Sequence, residues 1–135
     1  MTAAANPWAE LRARPHLELQ WAALPDGTSG LWMPGVIVLD ERLDRVQRRC
    51  TLMHELIHDE RRVAWPDATA ATMAKEEAIV RRETARRLVP HALLRRLLDR
   101  RRDVEPVTDL VVAAEFDVTT SVARLALSLV VGPMR

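Results

Sequence analysis

Residues 54 to 58 read His54-Glu55-Leu56-Ile57-His58, two imidazoles four positions apart with a carboxylate beside the first. On an α-helix, positions i and i+4 share a face. Both rings can therefore reach one zinc ion while Glu55 stands beside the remaining coordination position. The chemistry open to such a set is hydrolysis. The ion polarises a carbonyl and brings the pKa of a water down toward ~7, and the carboxylate takes the water proton and returns it to a leaving amine. A catalytic zinc takes three protein ligands and keeps one position open, so a third ligand is required, usually a carboxylate with this motif. Glu77, 19 residues after His58, is the candidate, because a helical hairpin closing over Trp65 and Pro66 would carry it back to the histidines. Glu76 and Glu83 lie in the same run and stay open as alternatives.

The flanking sequence sets the elements that must hold these groups. Asn6 can cap a short helix over Pro7 to Arg14, which Pro15 ends. Leu17 to Ala23 alternates apolar and polar residues and predicts a half-buried strand. Pro25 to Gly30 breaks the chain, and Leu31 to Met33 then turns at Pro34-Gly35 into the β-branched run Val36 to Leu39, which predicts a small antiparallel sheet. From Asp40 the period becomes helical through Leu43, Val46, Cys50, Ile57 and Val63, so the histidine pair sits mid-helix. Trp65-Pro66-Asp67 interrupts this helix and a second one is expected from about Thr69 to Val89. Pro90 starts another, residues 100 to 105 form a charged connection, and helices over Val107 to Glu115 and Thr119 to Val131 close the chain. The fold class expected is α+β.

At 135 residues, 48% of them hydrophobic, the sequence is read as one domain. Residues 1 to 40 bear the strands, 41 to 103 the metal-site helices and 104 to 135 a helical C-terminal part. Cys50 is the lone cysteine, so no intramolecular disulfide is expected. Residues 1 to 7 show neither a basic stretch nor an apolar one, and a cytoplasmic location is expected. No apolar run approaches the ~20 residues of a membrane span. Net charge is +1, which gives no overall reason to expect a polyanionic partner. Residues 78 to 103 nevertheless hold nine arginines against three acids, an excess of six, which leaves the rest of the chain at −5.

The segment Arg48 to His58, the Glu-rich helix ending in Arg86 to Pro90, and Asp109 to Val118 before a helix containing Arg124-Leu125 together resemble the ImmA/IrrE family of small metallo-endopeptidases. These belong to the zincins whose third ligand is Glu, and the likeness covers most of the chain. It implies a mini-zincin fold, one zinc ion held by His54, His58 and Glu77, and Glu55 as general base. It further implies a specific protein substrate, such as a helix-turn-helix transcriptional repressor, often in the setting of a phage or another mobile element. One position departs from the pattern. Such families place Asn or Asp four residues after the ligand Glu, where it accepts the free ring N–H of a ligand histidine, whereas Arg81 has no acceptor to offer.

With no Tyr in the chain, a second donor for the oxyanion reduces to His91, an arginine or backbone N–H groups. Cys50 lies one turn before His54 and is expected to pack in the core; Trp8, Trp21, Trp32 and Trp65 are expected in core and rim packing, with a substrate-lining role as the alternative for Trp32 or Trp65, and His16 as a surface or capping residue. The last two helices have a helix-turn-helix look but only Arg124 as a basic residue, so direct nucleic-acid binding is not expected of them. The rival to a peptidase is a non-catalytic, zinc-stabilised regulatory module that binds a repressor or DNA through the Arg-rich helices.

Overall fold

The computed structural model describes residues 3–63 and 69–131. Helix α1 (Pro7–Arg12) is followed by strands β1 (Glu18–Ala22), β2 (Gly30–Met33) and β3 (Val36–Asp40). Helices α2 (Arg45–Arg61), α3 (Ala70–Leu88), α4 (His91–Arg100), α5 (Asp109–Phe116) and α6 (Thr120–Val131) complete it. The class is α+β, but the sheet is mixed rather than antiparallel. Its order is β1-β3-β2, with β3 antiparallel to β2 and parallel to β1. Gly35, at φ +86°, makes the tight turn from β2, and β3 then inserts between the two earlier strands. The stretch from Ala22 to Val36, with β2 inside it, serves as the crossover that a parallel pair needs. The central strand is closed on both faces, with Ile37, Val38, Leu39 and Asp40 all buried. A continuous apolar run rather than alternation is its sequence mark.

Helix α2 is the axis of the molecule. Its first turn is closed by a capping box, in which the Gln47 N–H donates to Asp44 at 2.8 Å and the Asp44 N–H donates to the Gln47 side chain at 3.0 Å. Arg62, at φ 55°, ends it in the left-handed region. From Leu52 to Asp59 almost every residue is buried, because the sheet, α1, α3 and the α5–α6 corner surround it. At that corner Arg49 donates to the Asp117 carbonyl at 2.8 Å, satisfying an oxygen at the end of α5.

Helix α3 begins beside the start expected near Thr69, whose side chain caps it, and Val80, Ala85 and Leu88 bury its core face. Ion pairs join α3 to α2: Arg61 clasps Glu76, and Arg87 clasps Glu60, to which Arg14 also reaches. The Arg-rich stretch is therefore partly internal bookkeeping of charge. Arg86 faces Glu83, Arg100 pairs with Glu115, Arg101 with Glu105 and Arg102 with Asp99. The turn expected at Trp65-Pro66-Asp67 lies outside the described residues. No helix among the described residues is long and apolar enough to cross a membrane.

Candidate metal centre

His54 and His58 stand one turn apart on α2 with ring centroids 4.9 Å apart. Both aim Nε2 at one carboxylate, that of Glu77 on α3. His58 Nε2 lies 2.7 Å from Glu77 Oε1, and His54 Nε2 lies 3.0 Å from Oε2. One ligand atom from each residue falls within 4.8 Å of the other two. That is the donor chemistry of a catalytic zinc site, two imidazoles and one carboxylate. The two alternatives to Glu77 are engaged elsewhere. Glu76 is buried and gives both oxygens to Arg61, and Glu83 accepts from Arg87 at 3.1 Å.

The charges follow from this contact. Hydrogen bonds from His54 and then His58 hold the Glu77 carboxyl far below the ordinary carboxylate range, against its partial burial. At His58 burial pulls the imidazole down, but the Glu77 hydrogen bond and the neighbouring Glu55, Glu77 and Glu76 charges outweigh it, and the net shift is upward. Glu55 is 6% exposed, and its burial pushes the carboxyl up, with the two imidazoles opposing. A carboxyl moved up from its usual range is closer to the pH at which it can both take and return a proton.

Glu55 is reached by the edge strand. Gly30 of β2 lies so close to α2 that a Cβ there would sit 2.7 Å from Thr51 Cγ2 and 3.2 Å from Glu55 Oε2. One turn further along α2, buried Asp59 accepts from Trp32 Nε1 at 3.0 Å and lies 2.9 Å from His16 Nε2. This junction pins β2 to the helix that carries the histidines. The pairing of Asp59 with Trp32 and His16 goes beyond the surface or capping role that sequence alone suggests for His16. The usable signals were an acid next to His58 on an apolar face and a glycine opening a strand, which marks a close approach.

Beside the histidines runs a cleft of about 860 Å³ lined by residues of β2, α2, α3 and α6. Arg81 lines it and His91 does not. Among the described residues neither ring has a hydrogen-bond partner at Nδ1, so no other carboxylate takes the part that Asn or Asp at position 81 would play. Cys50 is buried, receives the Thr119 N–H at 3.5 Å, and has its thiol pushed up by burial, as befits a packed residue rather than a thiolate ligand. Trp32 lines the cleft, Trp8 packs on the core, and Trp21 is exposed under the Arg48 guanidinium at 4.9 Å; Trp65 lies outside the described residues.

No curated protein matches the chain. A solved structure of a Mycobacterium tuberculosis transcriptional regulator has the same fold, with a TM-score of 0.68 and 20% identity over 90% of this chain. The match spans 40% of that regulator's length. The family described as Peptidase_M78, the IrrE N-terminal-like domain, matches residues 17–128. That span takes in the sheet, the histidine helix, the Glu77 helix and the α5–α6 corner, and the chain belongs to this family.

Proposed function

We propose that this protein is a zinc-dependent endopeptidase in which His54, His58 and Glu77 hold one zinc ion and Glu55 is the general base. The observation that carries the reading is the meeting of both Nε2 atoms on a single carboxylate from another helix. When bound, the ion supplies Lewis acidity toward a carbonyl oxygen and makes a water molecule easier to deprotonate. Glu55, buried beside the histidines and raised in pKa, accepts that water's proton and returns it to the departing amine. The cleft holds the substrate backbone against the edge strand β2, whose position over Glu55 is fixed by Gly30 and by the Trp32–Asp59 bond.

Family membership supports a regulatory setting, and by analogy the substrate is a specific protein such as a helix-turn-helix repressor. The second reading, a zinc-stabilised regulatory module without catalysis, draws on Arg81 at the place of a histidine-orienting acceptor. The internal ion pairs of the Arg-rich stretch weigh against it. The test is Glu55→Gln. The variant keeps one zinc per chain by metal analysis and loses cleavage of a repressor encoded nearby by about 100-fold or more. Cleavage that survives the change, or repressor control that persists without any cleavage, overturns the peptidase.

A further inference from the structure

The cleft differs chemically on the two sides of Glu77. Met73 lies one turn before it on α3 and Arg81 one turn after, and all three line the cleft. Toward Met73 the walls are apolar. Trp32 is tied to Asp59 and Glu76 to Arg61, which places this end at the C-terminal end of α2, where Val63 also lines the cleft. Beyond Glu77 the lining is mixed, with the hydroxyls of Thr84, Thr119, Thr120 and Ser121 beside apolar Val122 and Leu125. Helix α3 packs on α6, whose first turn supplies Thr120 and Ser121, and Thr119 is tied to Cys50 in the N-terminal half of α2.

Arg81 is exposed and unpaired among the described residues. Glu77, one turn back, gives its carboxylate to the two histidines, and Glu83 is taken by Arg87 with Arg86 beside it. The only carboxylates lining the cleft among the described residues are Glu55 and Glu77 themselves. A guanidinium is always charged and presents a fork that fits a carboxylate. Four residues of helix rise about 6 Å and an extended peptide advances about 3.3 Å per residue, so Arg81 stands opposite a residue one or two positions from the bond at the metal.

Resting on the peptidase reading, we propose that Arg81 is a specificity-determining residue that receives an Asp or Glu side chain of the substrate within two residues of the scissile bond, while the Met73 end receives an apolar one.

Two measurements test this. In the first, the zinc-loaded protein digests a defined peptide mixture of equal Asp, Asn and Lys content, and mass spectrometry reads the new termini. Acidic residues are enriched about tenfold at one of the two positions on one side of the cut, the worth of one charge-assisted pair. Arg81→Ala abolishes the enrichment, Arg81→Glu turns it toward Lys, and Arg81→Lys keeps part of it. In the second, zinc-loaded Glu55→Gln binds fluorescein-labelled octapeptide pools that differ only in Asp or Asn content. The Asp pool binds about tenfold more tightly, and adding Arg81→Ala equalises the two. Circular dichroism and zinc content of the Arg81 variants match those of the parent. Cut sites without acid preference, equal binding of the pools, or an Arg81→Ala loss spread evenly over all peptides would each overturn the assignment. If the wild type cuts nothing while the binding preference depends on Arg81, recognition of an acid by Arg81 stands, and the peptidase reading falls together with the placement beside a scissile bond.

Discussion

Replacing Gly30 by Ala tests how closely the edge strand must approach the histidine helix. The added methyl would lie 2.7 Å from Thr51 Cγ2 and 3.2 Å from Glu55 Cγ and Oε2, closer than carbon atoms pack. Forcing a methylene into such a contact costs about 1–3 kcal/mol. Fewer conformations of the unfolded chain return about 0.4–1 kcal/mol. The net expectation is a loss of about 1–2 kcal/mol by urea denaturation, or a fall in Tm of about 4 °C per kcal/mol. Cleavage should fall further than stability, since displacement of a positioned catalytic group by about 1 Å can cost about 100-fold. Thr51→Ser removes the nearest clashing atom, so the double variant should recover most of the stability, with a coupling above about 0.5 kcal/mol in the double-mutant cycle. A Gly30→Ala protein as stable as the parent, or additivity with Thr51→Ser, would refute the reasoning.

Glu77→Gln should weaken zinc binding by more than about 100-fold in competition titration, beyond what loss of an outer partner costs. Glu76→Gln should leave affinity intact and lower stability by about 1 kcal/mol, because it strips a charge-assisted partner from a half-exposed Arg61; the reverse pattern would exchange their roles. Three groups of the candidate site should make metal-free stability depend on pH, and Glu60, Asp40 and Asp117, also held below their ordinary values, add to the loss in acid. Glu77 is held below its ordinary 4.5, so its contribution is present above about pH 4.5 and lost as pH falls. His58 is raised from 6.5 and Glu55 from 4.5, so their contributions are present at low pH and lost as pH rises through their folded values. Thermal melts in chelator should therefore peak between about pH 4.5 and 6.5, and zinc should remove the decline toward pH 8; a chelated protein that gains stability from pH 6 to 8 would contradict the shifts.

Local chemistry made much of the molecule legible in advance. Asn6 stands where a helix begins because its side chain accepts free N–H groups, a signal that needs no tertiary contact; Asp44, Thr69 and Thr108 do the same in the structure, although only Asn6 of the four is expected as a cap from the sequence. That His54 and His58 share one face was readable because helical periodicity fixes which residues of a single helix stand together. Long-range choices were not. Whether β3 pairs with β1 as well as β2 depends on which edges meet in space, so the parallel β1–β3 pairing has no local sequence mark. The choice of Glu77 over Glu76 turned on Arg61, whose reach across to α3 has no local signature. The Asp59 junction joins residues 43 and 27 positions apart, beyond any pattern within one element.

The clasps Arg61–Glu76 and Arg87–Glu60 fasten the two helices on either side of Glu77 along α3. Their separation is thereby set by groups that take no part in coordination. If the site takes zinc as proposed, the ion would enter between helices already fastened, so chelation should strip it while leaving the scaffold upright.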